Sequence, residues 1–369
     1  MKLFKKLAAA VLVAALALMM VGCGGRNSLL DQVKNVIADF YAMENEELTN
    51  KKELDALAAK LMAAYLGFSF VDAASWLQFD YAGNVLTDSS YAALSSLADG
   101  RKIVTPGFYG ALPDGRIHTF SRGGSDITGS LAAAALHADV YENWTDVPGI
   151  LTADPRIVKN PAPIASLSYP ELQLLSGAGT QVLHESAVAP VRAAQIPLQI
   201  RSTFAPELPG TRIGFEAGAG LEETGVVGFA GRRAVSMLRV LFREETRADA
   251  DTLVRACLAQ RGVEVFHNSQ GVEGLCLLLI AKPGQDALHA ACDEVRRLLP
   301  GAQVKLRENL AALLALCRTT REVPKLAAAM ESAGVPVHHL VQTPPGALFC
   351  VNDSQYETAL RAAYALAFG

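Results

Sequence analysis

Residues 120–156, FSRGGSDITGSLAAAALHADVYENWTDVPGILTADPR, constrain what this chain can fold into more than any other stretch. Arg122-Gly123-Gly124-Ser125-Asp126 is a glycine turn, and the Ala- and Leu-rich run 127–137 reads as a helix that follows it at once. Glycines let backbone approach a ligand closely, and a helix start offers unpaired N–H groups and the positive end of a dipole. An anion is the natural guest there. Residues 138–144 read as a strand, and Thr145-Asp146-Val147-Pro148-Gly149 as the polar turn at its carboxyl end, the edge where open α/β sheets hold ligands. Asp154-Pro155-Arg156 adds a cation with the planar head that suits phosphate oxygens. A lone RGGSD is a surface turn more often than a site. Two such turns joined by a helix and a strand make a stronger pattern.

A chain of 369 residues with 51% hydrophobic content has material for two or three domains with proper cores. Its net charge of −4 gives no footprint for nucleic acid. Lys2, Lys5 and Lys6 precede an apolar run over 7–21, and Val21-Gly22-Cys23-Gly24 resembles a lipobox, where bacterial lipoproteins are cleaved and the cysteine is lipidated. The run is shorter than the roughly 20 residues that a membrane span needs. Cys23 is thus the candidate lipidation site. The other five cysteines argue the opposite way, because scattered single thiols without CxxC spacing suit a reducing cytosol. No metal site is expected, since the seven histidines never stand at ligand spacing from cysteines. His338-His339 is a doublet whose members point to opposite faces of a strand, which suits a structural role.

Helical spacing of Leu29, Val33, Val36, Ile37 and Phe40, and then of Leu54, Leu57 and Leu61, marks 27–64 as helices joined by a charged connection over 44–52. Residues 68–71 read as a strand, and Lys102-Ile103-Val104-Thr105-Pro106-Gly107-Phe108-Tyr109-Gly110 as a strand entering a glycine loop. Helices are expected over 169–176 and 185–194, with a strand over 198–202 and an exit turn over 204–211.

The central motif, with Lys60-Leu61-Met62-Ala63-Ala64-Tyr65-Leu66-Gly67 and the 102–110 loop, resembles the catalytic domain of aspartate kinases, within the amino-acid kinase fold. The resemblance runs from about 61 to 213 and implies an α/β fold class, here a truncated three-layer α/β/α sheet. It implies ATP-dependent phosphorylation of the L-aspartate side-chain carboxylate, the first step toward lysine, threonine and methionine, with ATP as cofactor, Mg²⁺ as phosphate counter-ion and a cytoplasmic location. By the resemblance Arg122 grips a substrate carboxylate and Asp126 accepts hydrogen bonds from the substrate ammonium. A helix N-cap is the other role open to Asp126. Gly123, Gly124 and Ser125 would supply N–H groups near the reacting phosphoryl, Thr145 and Asp146 would hold the nucleotide, and Arg156 its phosphates. Leu151 stands where the family often has a tyrosine near adenine, Gln181 where relatives commonly have lysine, and Asp55 where a glutamate holds the substrate amino group. The family's opening strand and loop, Lys-Phe-Gly-Gly-Thr, has no counterpart in this sequence. The chain therefore reads as an aspartate kinase that lost its opening quarter and acquired a lipoprotein-type leader.

From 224 the rhythm is strand, helix, strand, strand, helix, strand, twice over, with elements read at 235–242, 248–261, 263–267, 274–281 and 286–299, then at 310–317, 322–334, 337–341, 347–351 and 355–368. That order is ferredoxin-like (βαββαβ) and resembles paired ACT domains, the amino-acid sensors attached to aspartate kinases. The family's Gly-Phe effector loop stands here as Ala234-Val235. The expected layout is a leader over 1–25, a helical segment over 26–60, a partial kinase domain over 61–213, a linker over 214–223, and ACT domains over 224–302 and 303–369. ACT pairing implies a homo-oligomer with an amino-acid effector. Three readings stay open: the kinase itself, a catalytically impaired ACT-bearing partner subunit, and a lipid-anchored ligand-binding protein that meets the membrane only through Cys23.

Overall fold

The computed structural model describes residues 51–369 apart from 180–182, 184, 216–224, 243–246, 271–273 and 344. The leader with Cys23, the helical pattern before residue 51, Gln181 and residues 216–223 of the expected linker lie outside the described residues. The chain divides into two compact units. One takes the chain up to Asn143 together with Leu183–Leu198; the other takes Trp144–Val182 and Gln199–Gly369.

In the first unit, helix α1 (Lys51–Leu66) buries Leu57, Leu61 and Ala64 at helical spacing. The boundary expected at 60/61 falls inside this helix, because the apolar spacing continues through it, and Lys51 and Lys52 belong to its first turn rather than to a connection. The helix packs on two parallel strands, β1 (Ser69–Phe70) and β2 (Ile103–Val104). A hairpin, β3 (Tyr109–Ala111) and β4 (Ile117–Thr119), follows helix α2 (Thr87–Ala98) and β2 in the chain. Trp76, Leu77, Phe79 and Tyr109 are wholly buried. The polar tips of two of them find partners: Trp76 Nε1 donates to Thr105 Oγ1 at 3.0 Å, and the Tyr109 hydroxyl to Asp72 Oδ1 at 3.1 Å.

Helix α3 (Gly124–Ala135) starts three residues before the expected 127, and its Ala-rich face lets α2 and α5 (Glu185–Ala193) pack against it. Any side chain at Gly129 would meet the Tyr141 hydroxyl, 2.8 Å from an added Cβ. Strand β5 (Tyr141–Thr145) begins later than the expected 138, because the chain turns at His137 with φ 48°. Strand β7 (Leu198–Ser202) lies where it was predicted. A four-stranded sheet runs in the order β5-β7-β8-β6, with β6 (Ser166–Ser168) and β8 (Thr211–Gly214) parallel.

In the second unit, helix α4 (Tyr169–Gly177) opens with a capping box: Glu171 N–H donates to Ser168 Oγ, and Ser168 N–H to Glu171 Oε2 at 2.6 Å. The same buried carboxylate takes Arg318 Nε at 2.8 Å, while Arg318 Nη2 also donates to the Ser166 carbonyl at 3.2 Å. Burial pushes the Glu171 carboxyl up, but the hydrogen bonds from Arg318 and Ser168 outweigh it and hold it below its ordinary value. With side chains only 16% and 2% exposed, loss of one partner costs about 3–5 kcal/mol by leaving a buried charge alone.

A six-stranded antiparallel sheet, β10-β11-β9-β12-β14-β13, carries the rest of the unit. Its axis is two long strands, β9 (Val226–Leu241) and β12 (Gln303–Cys317), which pair along their length. Their outer halves each complete a ferredoxin-like set. Residues 235–241 of β9, helix α6 (Arg247–Gln260), β10 (Val263–Gln270), β11 (Gly274–Ala281), helix α7 (Gln285–Leu298) and residues 303–307 of β12 form one. Residues 310–317 of β12, helix α8 (Glu322–Ser332), β13 (His339–Thr343), β14 (Gly346–Asn352), helix α9 (Tyr356–Phe368) and residues 226–233 of β9 form the other. The division at 302/303 therefore does not follow the sheet, since the second set takes its fourth strand from before the first.

Ala234 and Asn309, both with φ 56°, interrupt the two long strands at the junction of the halves. The halves then close on each other. Met237, Leu278, Ala312, Leu314 and Leu348 are buried on the face away from the helices, whose own cores use Leu238, Leu277, Leu313 and Phe349. Ala234-Val235 is consequently no loop: it lies within β9, and Ala234 N–H donates to Asp353 Oδ1 at 3.0 Å. The five described cysteines are free and buried, with burial lifting the Cys350 thiol to about 12. No helix among the described residues is long and apolar enough to cross a membrane.

Candidate functional site

The glycine turn is built by a left-handed backbone. Gly123 is the N-cap of α3 at φ 64°, ψ 18°, a conformation that glycine adopts without strain, and no side chain caps the helix there. Asp126 sits in the first helical turn and is not the N-cap. Its carboxylate accepts from Asn143 Nδ2 at 2.9 Å, and its carbonyl from the Tyr141 hydroxyl at 3.1 Å. Burial, with the nearby Asp126 charge adding to it against the Asn143 hydrogen bond, pushes the Tyr141 phenol up to about 12. Tyr141 therefore stays a neutral donor. An anionic side chain in the first turn is also favoured by the helix dipole.

Gly124 has a packing task in addition to the one its sequence suggests. An added Cβ would stand 2.6 Å from the Phe108 ring and 2.8 Å from Phe120, so packing by itself excludes a side chain here. Gly107 is as tight, 2.9 Å from the Ser125 Cα. The 102–110 loop is thereby laid on the start of α3. Phe108, at φ 80°, is pinned there: its N–H donates to Thr128 Oγ1 at 3.1 Å, and the Thr128 hydroxyl donates to the Gly124 carbonyl at 2.7 Å. Arg122 and Ser125 are exposed on this turn. Arg122 is the charged residue lining a cavity of about 570 Å³, whose other walls include Phe120, Tyr91, Ile127, Leu131 and Pro190. Asp55 stands on α1 in the same unit.

The remaining expected residues belong to the second unit. The Thr145 hydroxyl donates to Asp146 Oδ1 at 3.2 Å, and the Thr145 carbonyl accepts from Thr203 N–H at 2.8 Å. Leu151, half-buried, bridges to Pro163. Arg156 is no unattached cation: Nε and Nη2 grip the Asp154 carboxylate between 2.6 and 3.1 Å. Those hydrogen bonds hold Asp154 below the usual carboxylate range against its partial burial. The guanidinium side chain is still 87% exposed, so an anion reaching it would share it with Asp154.

Asn143 is the residue that the sequence reading missed. Its signal was the alternation along β5, where Tyr141, Asn143 and Thr145 share a face. The uncapped start of α3, with Ser125 exposed, fits a phosphate. No group of three or more His, Cys, Asp or Glu among the described residues could hold a metal ion by itself. A Mg²⁺ carried by phosphates needs only one or two protein carboxylates.

The family model of the Amino acid kinase family matches residues 24–202. Aspartokinase 3 of Bacillus subtilis is 28% identical over 364 residues, which span 91% of this chain and 79% of that relative. The solved aspartate kinase of Clostridium acetobutylicum superposes with a TM-score of 0.78 at 28% identity, over 92% of this chain and 80% of that one. Aspartokinase III of E. coli, in complex with aspartate and ADP, shares the fold at a TM-score of 0.66 and 20% identity, over 94% and 83% of the two chains. A glycine turn whose helix carries Asp126 on Asn143, paired ferredoxin-like halves on two shared strands, and these likenesses along nine-tenths of the length lead to one assignment: the chain belongs to the amino acid kinase family, among the aspartate kinases.

Proposed function

We propose that this chain binds L-aspartate at the Arg122 turn and directs phosphorylation of its side-chain carboxylate. The observation that carries the proposal is the fixed Asp126 carboxylate, held by Asn143 at 2.9 Å, on the same short turn as the exposed Arg122. A zwitterionic amino acid offers the matching pair of charges. Arg122 takes its carboxylate through a planar two-pronged head, and Asp126 takes its ammonium. Asp55 is a further carboxylate for that ammonium. ATP, bound with Mg²⁺, supplies the phosphoryl group. The N–H groups of Gly123, Gly124 and Ser125, with the α3 dipole, orient and partly neutralise an anion at the turn, and positioning with charge neutralisation is most of what such transfers require. Thr145, Asp146, Leu151, Arg156 and Gln181 are the nucleotide-side residues of the proposal. An amino-acid effector at the ferredoxin-like halves and self-association through them are part of the same reading.

Calorimetric titration with L-aspartate tests it directly. Arg122→Ala is expected to weaken binding about tenfold or more, as loss of a charge-assisted pair does. Unchanged affinity would remove the turn from the site. Trapping the acyl phosphate with hydroxylamine in the presence of ATP, Mg²⁺ and aspartate reads the transfer. Binding without transfer would assign the chain to the second reading, an ACT-bearing partner subunit. Lipidation at Cys23, which would place the chain at a membrane, is settled separately by palmitate labelling.

A further inference from the structure

The segment that carries Asp154 and Arg156 is built into the core of the second ferredoxin-like half. Ala153 and Val158 are buried in one hydrophobic cluster with Val226, Phe229, Tyr356 and Leu360, and Ile157 packs against it. Backbone fixes the loop at both ends. Thr152 N–H donates to the Ala162 carbonyl at 2.9 Å, and the Thr152 carbonyl accepts from Phe229 N–H of β9 at 2.7 Å. At the tip, Arg361 Nε of helix α9 donates to the Ile157 carbonyl at 3.2 Å. Tyr356, on the same helix, feels both charges of the pair. Burial pushes its phenol up to about 12, with Asp154 raising it further and Arg233 and Arg156 opposing. Gly231 faces that ring so closely that any side chain there would strike the hydroxyl.

We infer that helix α9 positions the Asp154–Arg156 pair, with Arg361 as the positioning residue that sets the tip of the loop. The pair rides on the regulatory sheet, so a shift of β9 or α9 is transmitted to Arg156 without an intervening joint. This inference rests on the assignment of Arg156 to the nucleotide side, and it adds the residue through which the ferredoxin-like half acts there. Arg361 is itself exposed and touches the loop through one hydrogen bond, so its replacement leaves the buried cluster intact.

Amide hydrogen exchange on the full chain, paired with calorimetric titration of ADP, tests it. In Arg361→Ala, exchange over 152–164 is expected to quicken about fivefold, the factor that one lost hydrogen bond of about 1 kcal/mol gives to local opening, with β10 and β11 unchanged. ADP affinity is expected to fall threefold or more. Arg361→Lys, which keeps a donor, is expected to restore both. Glu357→Gln removes the i,i+4 partner of Arg361 at 3.1 Å and is expected to move neither. Ile157→Ala, which trims the loop's own anchor, should reproduce the Arg361→Ala pattern. Unaltered exchange over 152–164 in Arg361→Ala and Ile157→Ala would overturn the positioning role. Faster exchange with unchanged ADP affinity would overturn its link to the nucleotide. A wild-type chain that takes up no ADP overturns the nucleotide assignment, and the exchange data then decide alone whether α9 holds the loop.

Discussion

At the scale of single residues, the turn carries an exposed arginine and, four residues on, a carboxylate held by one amide. Asp126 was visible in the sequence as a carboxylate beside a glycine turn, but its holder was not, because Asn143 is 17 residues away and meets it only through the α3–β5 packing. Asn143 is nearly buried, and its Nδ2 lies 2.9 Å from Asp126 and 3.3 Å from the Tyr141 hydroxyl. An amide there aims the carboxylate without adding charge. Asn143→Ala is expected to weaken L-aspartate binding roughly tenfold or more, the effect of about 1.5 kcal/mol or more for one hydrogen bond to a charged group. Asn143→Asp should do more harm, since two carboxylates at that distance cannot both ionise and one would hold a proton at neutral pH. Titration with L-aspartate at pH 7.5 orders the three proteins. If Asn143→Asp bound as well as wild type, the orienting role would be gone.

At the scale of elements, short helices and strands were legible where one face is buried at a regular period. Helix α4 and strand β7 show that: Ser168 and Glu171 cap the first, and Leu198, Ile200 and Ser202 alternate inward along the second. The long strands were read only in part. Residues 303–307 alternate polar and apolar as β12 requires, yet the periodicity starts the second ferredoxin-like set at 310, because local spacing carries no sign that one strand will serve both halves of a sheet. Residues 226–233, with two glycines, carry even less. Their function in the element is set by partners in β12 that are far away in sequence, as Ala312 is from Arg232 and Cys317 from Val226. Ala234 marks the bend between halves at φ 56°, where an L-residue is strained and glycine is not. Ala234→Gly is expected to raise the stability of the sheet by about 0.5–1 kcal/mol, the reverse of the usual glycine penalty. Urea unfolding reads it through a higher midpoint at constant slope. A lower midpoint would mean that the bend does not need a positive φ.

At the scale of the whole molecule, the sheet that joins the two halves holds two half-buried imidazoles. His267 on β10 and His339 on β13 sit at opposite edges of the ladder, yet His339 feels the charge of His267 and of Arg239. Burial comes first in depressing both rings below their ordinary value, and for His339 Arg239 and then His267 follow. Their Nε2 atoms are buried without a hydrogen-bond partner. Cys276 and Cys350 lie on the same inner face, raised by burial and neutral, so they offer no counter-charge. Arg307, at the ring of the neighbouring His338, adds another cation. A proton entering this space therefore meets mostly like charge. For a histidine whose folded value is depressed, the unfolded chain binds the proton first. Stability is complete above the unfolded value near 6.5 and is lost as pH falls from there toward the depressed folded value. Glu171, lowered by Arg318, contributes its own loss only once pH falls below the ordinary glutamate value, so the two steps are separable. Thermal unfolding between pH 7.5 and 5.5 is expected to show a falling midpoint in the wild type and a flatter one in His267→Gln/His339→Gln, which lacks the protons in question. Parallel slopes for the two proteins would place the acid sensitivity outside the closed sheet.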